Sequence, residues 1–292
     1  MNITQQDDSP TVVDSLFERS MIDIGIPPCP LILKRFMLEA IKSEPNYMHL
    51  TDIIEADVAI SASLIKTANS PFFGMRQRVR SVKEALAILG LETSSRAVAG
   101  IILRNSFPGM PVLERFWDAS ARIARLSGWL AQYFAIPGLR SEDAYTFGLF
   151  RDCGIPVLIK RFSHYSKVLA DANHDAEHSF IGVEENTLPT NHAMVGCILA
   201  QSWWLPEEAF LAIRNHHDLE ALDTASSEIP LLSRQLIATA QLAEHIVQQQ
   251  LGLSLTQEWP KLGIACLKLL GVDQGQLETL YLEVALIVSL EE

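Results

Sequence analysis

The histidines of this chain are concentrated in its second half. One of the eight, His49, precedes residue 110, and the others are His164, His174, His178, His192, His216, His217 and His245. A hydrolytic metal centre in a helical bundle needs imidazoles and carboxylates from several helices, because one helix presents only one or two ligands in a given direction. Asp152, His192 and the run from His216 to Asp218 lie at the starts or ends of separate predicted helices. A metal site, if present, is therefore expected in the second half.

The elements that would position these residues are predicted to be helical throughout. Apolar residues recur three and four apart, and period-2 alternation is nearly absent, so the fold class is predicted as all-α. Ser81 and Glu84 form a capping box, Gly90 closes that helix, and a further helix runs to Asn105. Other helices are expected after Ser9-Pro10, over 26–41 and 57–68, and near 113–135, 141–151, 155–171, 191–203, 206–217, 230–251 and 276–290. Residues 172–190 are predicted to be a loop with one short helical piece.

A cluster of helix-breaking residues suggests two helical subdomains. Residues 107–111, FPGMP, contain two prolines and one glycine, and a chain of 292 residues usually exceeds one hydrophobic core. We expect an N-terminal helical bundle over residues 1–108 and a second helical domain over residues 109–292.

Composition excludes several classes of function. The chain has 35 acidic and 23 basic residues, a net charge of −12, which disfavours nucleic-acid binding. Its four cysteines contain no Cys-x-x-Cys pair, as is typical of a reducing compartment rather than a disulfide scaffold. The N-terminus lacks the pattern of a signal peptide, and no apolar run approaches a membrane span of about 20 residues. A cytoplasmic protein without membrane contact is predicted.

One dense basic patch interrupts this acidic composition. Arg76, Arg78 and Arg80 occur within five residues and could contact an acidic partner or a nucleotide phosphate. The alternative is a solvated turn with no ligand.

Several motifs together resemble the HDOD family, a branch of the HD superfamily of helical metal-dependent phosphohydrolases. The resemblance runs from about Ile26 to His217. Its motifs are IPPCP, TANSPFFG, SVKEALAILGLETSSRAV, FWDASARIA, GLFRDCGIPVL, NHAMVGCILAQSWWLP and AIRNHHD. It implies a bacterial regulatory or scaffolding protein linked to signal output.

This sequence departs from the residues that the resemblance implies for a catalytic HD site. The first expected histidine is Ala119, the His-Asp pair is Arg151-Asp152, and the late aspartate aligns with Gln241. The expected donors that remain are Asp152, His192, His216 and His217. No metal is therefore expected, and a divalent ion, if one binds, would use those four residues.

Arg151 carries the main physical argument against a metal. A guanidinium stays protonated and has no lone pair to donate. In the same cavity its charge would oppose a divalent ion, and it could instead neutralise Asp152 or a nearby carboxylate. GLFRDCGIP, residues 148–156, is then a metal site converted to a structural one.

The surviving donors also have structural interpretations. Asp152 could simply pair with an arginine or cap a turn. His192 follows Asn191, a good N-cap, and could merely begin a helix. His216 and His217 end a helix, whose negative pole favours imidazolium charge.

Three functions follow from these patterns. The first is a non-enzymatic signalling module that acts through contacts with a protein partner, without a cofactor. The second is a phosphohydrolase or phosphodiesterase that acts on a nucleotide with a reduced metal site. The third is a sensor that binds a nucleotide without hydrolysing it.

Overall fold

The computed structural model describes residues 23–70, 78–110, 112–222, 228–252 and 254–289, and this part of the chain is helical without strands. The predicted all-α class is confirmed. The first half contains α1 (Leu31–Ala40), α2 (Tyr47–Glu55), α3 (Val58–Ala68) and α4 (Val82–Asn105). The second half contains α5 (Val112–Tyr133), α6 (Ser141–Phe150), α7 (Gly154–Arg161), α8 (Tyr165–His174), α9 (Phe180–Glu185), α10 (His192–Ser202), α11 (Glu207–Asn215), α12 (Leu219–Leu222), α13 (Leu231–Leu251), α14 (Glu258–Leu270) and α15 (Gln274–Ser289).

The predicted capping signals define the start and the bend of α4. The Ser81 hydroxyl accepts a hydrogen bond from the Glu84 backbone N–H, while the Glu84 carboxylate accepts one from the N–H of Arg80. The reciprocal bond thus reaches one residue earlier than in the usual capping box. Gly90 has a left-handed backbone, with φ of 73°. It kinks α4 where the sequence predicts that one helix closes and another begins.

Sequence reasoning missed three helices, α2, α12 and α14, and joined α7 and α8 into one. Local signals for two of them were present. Asn46 caps the start of α2, and α14 carries Pro260 in its first turn, where a proline is tolerated. The helix predicted over 155–171 is two helices, because Phe162 has extended dihedrals and ends α7. The break lets α8 begin at Tyr165, whose side chain is fully buried. The helix predicted after Ser9-Pro10 lies outside the described residues.

Both halves of the chain contribute to one continuous hydrophobic core, which extends from Ile26 to Val284. Helix α4 approaches α6 at Gly100, where a Cβ would lie 2.5 Å from the Leu149 side chain. The Trp203 indole N–H donates to the Pro27 carbonyl at 3.2 Å. The division into residues 1–108 and 109–292 stays a prediction, and the described halves pack closely against each other.

Among the described residues, α4 is the one helix long and apolar enough to cross a membrane by length and composition. Most of that helix is buried inside the fold, as expected of a core helix.

Two glycines allow the helices around GLFRDCGIP to approach closely. A Cβ on Gly148 would lie 2.8 Å from the Cα of Ala124, so α6 packs directly on α5. A Cβ on Gly154 would lie 2.0 Å from the backbone oxygen of His192, so the start of α7 lies against the start of α10. These contacts bring Asp152, between α6 and α7, next to His192.

Candidate metal centre

Four side chains from three separate segments converge on one point. The ligand atoms of Asp152, His192, His216 and His217 all lie within 4.8 Å of one another. Nε2 of His192 lies 3.3 Å from Nε2 of His216 and 3.1 Å from Nε2 of His217. Oδ1 of Asp152 lies 3.1 Å from Nε2 of His216 and 3.6 Å from Nε2 of His192. These are the four residues that the sequence leaves as donors.

The opposite nitrogen of each imidazole is held by its own acceptor. Nδ1 of His216 lies 2.7 Å from the Ile213 carbonyl oxygen. Nδ1 of His192 lies 2.8 Å from the Glu184 carboxylate, and Nδ1 of His217 is hydrogen-bonded to Glu258. Glu184 and Glu258 are themselves held by the Tyr165 hydroxyl and the Lys261 ammonium.

These acceptors fix where the imidazole protons lie. A carbonyl oxygen can only accept, so Nδ1 of His216 carries a proton. Burial raises the pKa values of Glu184 and Glu258, but the neighbouring histidines more than offset it: both values are lowered, to about 2 for Glu258. Both carboxylates are therefore ionised acceptors, and each partner imidazole carries its proton on Nδ1. In their neutral forms, all three rings direct an Nε2 lone pair at the shared point.

Burial and neighbouring charges shift the pKa values of His216 and His192 in opposite directions. Burial, followed by the neighbouring His217, lowers the pKa of His216 to about 3. Burial alone would also lower the pKa of His192, but Glu184 and Asp152 more than offset it and raise that pKa above its ordinary value. Lone pairs this close repel one another unless a cation or a proton lies between them.

Asp152 connects this centre to a buried arginine. Arg151 Nε donates to Oδ2 of Asp152 at 2.9 Å, and Arg151 Nη2 lies 2.7 Å from the Glu244 carboxylate. Burial opposes the guanidinium charge, but these two carboxylates more than offset it and raise the pKa of Arg151. Burial also opposes ionisation of Asp152, and Arg151 more than offsets it, so the pKa of Asp152 is well below its usual range. The pairing of Arg151 with Asp152 considered from the sequence is present.

The two other positions singled out in the sequence lie beside the same centre. The Gln241 side chain is buried and donates from Nε2 to the His216 carbonyl at 3.3 Å. Ala119 lines a cavity of about 530 Å³ that also reaches Arg151, Asp152 and His217. The structure thus brings all seven residues together: Ala119, Arg151, Asp152, His192, His216, His217 and Gln241.

The donor set fits a divalent transition-metal ion. Imidazole and carboxylate suit zinc, iron, nickel and manganese. The hydrogen bonds from each Nδ1 to a carboxylate or a backbone carbonyl are those that orient metal-binding histidines. No described side chain inserts a cation among the three Nε2 atoms, since Arg151 lies behind the carboxylate of Asp152. The residues present therefore fit one ion.

Sequence reasoning missed the acidic residues around the donors. Glu184 lies in a segment interpreted as a polar loop, Glu258 begins the unpredicted helix α14, and Glu244 was not singled out. Phe180 was missed as well, although its ring stacks on His217 with centroids 4.5 Å apart. A weak signal was available for Glu244, which lies three residues after Gln241 and shares its helix.

The remaining sequence candidates lie away from the four donors. Asp218 caps the short helix α12 by accepting from the Glu220 N–H. Arg78 and Arg80 line a different cavity, and Arg76 lies outside the described residues. His174 and His178 are exposed, and the ring of His245 stacks on Trp259.

Known proteins similar to this chain share its fold. A solved structure of a proposed phosphohydrolase from Shewanella amazonensis SB2B is 17% identical, with a TM-score of 0.64 over 91% of this chain and 93% of its own. An HDOD domain protein with unknown function from Geobacter sulfurreducens is 19% identical, with a TM-score of 0.58 over 88% of this chain and 95% of its own. A proposed signal transduction protein from Marinobacter aquaeolei VT8 is 21% identical, with a TM-score of 0.62 over 93% of this chain and 61% of its own.

Sequence comparison gives the family directly. An uncharacterized protein of Treponema pallidum (strain Nichols) is 27% identical over 224 residues, which are 75% of this chain and 42% of that relative. This chain thus spans less than half the length of the curated relative. The model of the HDOD domain matches residues 26–219, about the range over which the motifs resemble that family. The chain belongs to the HDOD family.

Proposed function

We propose that this HDOD chain is a signal-transduction module that binds one divalent transition-metal ion at Asp152, His192, His216 and His217. The observation that carries the proposal is the convergence of three Nε2 atoms and one carboxylate oxygen within 4.8 Å. Each Nδ1 is already hydrogen-bonded, so each Nε2 is left for the ion.

This proposal replaces the expectation that no metal binds. That expectation rested on Ala119, Arg151 and Gln241, which supply neither imidazole nor carboxylate. Their loss leaves the four other donors together, and Arg151 contacts the far oxygen of Asp152 rather than the histidines. One ion is therefore compatible with Arg151, while a second ion beside the guanidinium would meet its charge.

The regulatory part of the proposal has two supports. One is membership of the HDOD family, together with the name of the similar Marinobacter protein. The other is the loss of three expected donors from the catalytic HD pattern. We propose that the chain acts in the bacterial cytoplasm through contacts with a signalling protein, and that the bound ion stabilises the conformation that this partner recognises.

Phosphate-ester hydrolysis is the second candidate. The observation that favours it is the cavity beside the centre, because a ligand there would reach both Asp152 and His217. A bound ion would supply Lewis-acid polarisation of a phosphoryl oxygen and an acidified water. The chain itself would supply Arg151 to neutralise a phosphate, and Phe180 to shield one side of His217 from water.

Metal content separates a metal-binding module from a metal-free one. The chain is purified without chelator, incubated with manganese, iron, nickel or zinc, desalted, and measured by plasma mass spectrometry. About one ion per chain is expected for wild type and for His174→Gln, whose exposed histidine lies outside the centre. His216→Gln is expected to lose the ion. A folded His216→Gln protein that retains the full ion content would contradict the site.

Turnover then separates the two candidate functions. The metal-loaded protein is incubated with bis(p-nitrophenyl) phosphate and with cyclic dinucleotides. A signalling module should release no product above the His216→Gln background, whereas a phosphohydrolase should show metal-dependent release that His216→Gln abolishes.

A further inference from the structure

We propose that the cavity beside the metal centre is a binding site for a phosphate group, and that Arg151 is its anchor. The site deepens the proposed function, because it names the class of ligand that this module would sense. The part of the inference that concerns Arg151 depends on the arginine and the cavity, not on the ion.

The first observation is an unpaired donor on a buried cation. The Arg151 side chain is only 4% exposed. Its Nε bonds to Asp152 and its Nη2 to Glu244, but its Nη1 is buried without a hydrogen-bond partner. A buried donor on a charged group is costly to leave unpaired, so such an atom calls for an explanation.

The second observation is the space next to this arginine. Arg151 lines the 530 Å³ cavity together with Asp152 and His217, so a ligand there would lie beside both the guanidinium and the donors of the ion. Cavities of this volume hold small-molecule ligands of nucleotide size. Asp152 and Glu244 hold the guanidinium from two sides and leave Nη1 as the nitrogen without a partner.

The arginines are the phosphate-binding groups of this cavity. Arg115 and Arg122 line it in addition to Arg151, Asn173 adds an amide, and the acidic lining consists of Asp118, Asp152, Glu244 and Glu258. Asp152 and Glu244 share the charge of Arg151, Glu258 is paired with His217 and Lys261, and Asp118 is exposed to solvent. With a divalent ion bound to Asp152, the cavity gains further positive charge. Arginine binds phosphate oxygens through its planar, forked N–H groups, which match a tetrahedral oxyanion.

The test measures binding of inorganic phosphate and of adenosine monophosphate by titration calorimetry, with the full chain. Each titration is run on nickel-loaded and on chelator-treated protein, and metal per chain is measured on the same samples. Free phosphate and a phosphate ester are both used because either could supply the same group. Tighter binding of the ester would identify a nucleotide-like ligand, and equal binding would identify phosphate itself.

The variants are chosen to separate the anchor from general charge. Arg151→Lys retains a cation for the carboxylates but has one nitrogen in place of three, and Arg151→Gln removes the charge. Arg104→Gln removes an exposed arginine that does not line the cavity. Both Arg151 variants should bind phosphate roughly tenfold to a hundredfold more weakly, the range of one lost charge-assisted hydrogen bond. Arg104→Gln should bind as wild type.

The outcomes separate this inference from the proposed function. Phosphate affinity that is unchanged in folded Arg151→Lys, or wild type that binds neither probe, overturns the phosphate site and leaves the metal proposal intact. Phosphate binding that depends on Arg151 in protein that takes up no ion supports the phosphate site and overturns the metal proposal. If Arg151→Gln does not fold, the phosphate affinity of Arg151→Lys alone tests the phosphate site.

Discussion

Arg151 and Asp152 share a hydrogen bond of 2.9 Å that leaves the other oxygen of Asp152 facing the histidines. One carboxylate thus has a guanidinium on one side and the candidate metal centre on the other. This geometry explains how an arginine next to a metal ligand can be tolerated. The guanidinium stabilises the ionised form of Asp152 and is not itself one of the four donors. The substitution that argued against a metal from sequence alone is compatible with one ion.

Restoring the residues that the HD pattern implies should raise metal binding. The variant Ala119→His, Arg151→His and Gln241→Asp places two imidazoles and a carboxylate beside Asp152, and removes the opposing guanidinium. We expect a second ion per chain, because positions 119 and 151 line the cavity beside Asp152, position 241 contacts the His216 backbone, and Asp152 could bridge two ions. The measurement is metal content by plasma mass spectrometry after incubation with manganese or iron.

The single variant Ala119→His is the control for this experiment, since it adds one donor while Arg151 remains. It should bind no more metal than wild type. A folded triple variant with unchanged metal content would show that these three positions do not correspond to the ligands of the HD pattern.

Removing the charge that orients His192 should weaken metal binding without removing a ligand. Glu184 is fully buried and accepts hydrogen bonds from His192 Nδ1, from the His192 backbone N–H and from the Tyr165 hydroxyl. Glu184→Gln replaces an obligate acceptor by an amide that can also donate. A metal affinity about tenfold to a hundredfold lower is expected, as for other residues that orient metal ligands.

The affinity is measured by competition with a chromophoric chelator, and Glu177→Gln, an exposed carboxylate nearby, serves as the control. Equal affinity of Glu184→Gln and Glu177→Gln for the ion would mean that Glu184 supports the fold rather than the metal centre.

The fold was largely predictable because the helices carry strong local signals. The Ser81 cap, the Gly90 closure and the apolar spacing of α13 each follow from residues close in sequence. The helix over 155–171 was wrong because the break at Phe162 serves a distant contact, the burial of Tyr165 against Glu184. Local pattern cannot show that a chain must turn to reach a partner 19 residues away.

The sequence predicted the four donors of the site but not the residues that hold them in place. Asp152, His192, His216 and His217 were named as donors because they lie at the starts or ends of separate predicted helices and remain where the resemblance implies metal ligands. Their supporting residues Glu184 and Glu258 were not, because an acidic residue in a polar segment looks solvent-exposed until its neighbours are known. An arginine next to a metal ligand excludes the ion only if it contacts the same carboxylate oxygen. Arg151 contacts Oδ2 of Asp152 while Oδ1 faces the histidines, and a sequence does not show which oxygen is contacted.

An ion-pair network that joins the two halves should make stability depend on pH. Arg96 and Arg140 both pair with Asp143 and with Glu92, and so connect α4 to the start of α6. Burial alone would raise the pKa of Asp143, but the two arginines more than offset it, so that pKa is lowered. The stabilisation is therefore complete above the ordinary pKa of a carboxyl group and is lost as pH falls through the lower folded value.

Asp143→Asn should lower the free energy of unfolding by about 1–3 kcal/mol at pH 7, because the buried Arg96 loses a charged partner. Urea unfolding from pH 7 to pH 3 gives the measurement, with Asp171→Asn, at an exposed position of α8, as the control. The difference between wild type and Asp143→Asn should shrink at acid pH. A difference that stays constant across this range would show that the charge of Asp143 is not what stabilises the contact.

The close approach of α7 to α10 should be the structural feature that holds the candidate centre together. A Cβ added at Gly154 would lie 2.0 Å from the His192 backbone oxygen and 2.8 Å from the Gly196 nitrogen, both rigid backbone atoms. Gly154→Ala must therefore move the start of α7, and with it Asp152, away from His192. We expect the free energy of unfolding to fall by about 1–3 kcal/mol, together with a loss of metal affinity. Gly275→Ala, whose Cβ would meet only ordinary contact distances at the start of α15, should leave both unchanged. If Gly154→Ala binds the ion as wild type does, the position of Asp152 does not depend on this helix contact.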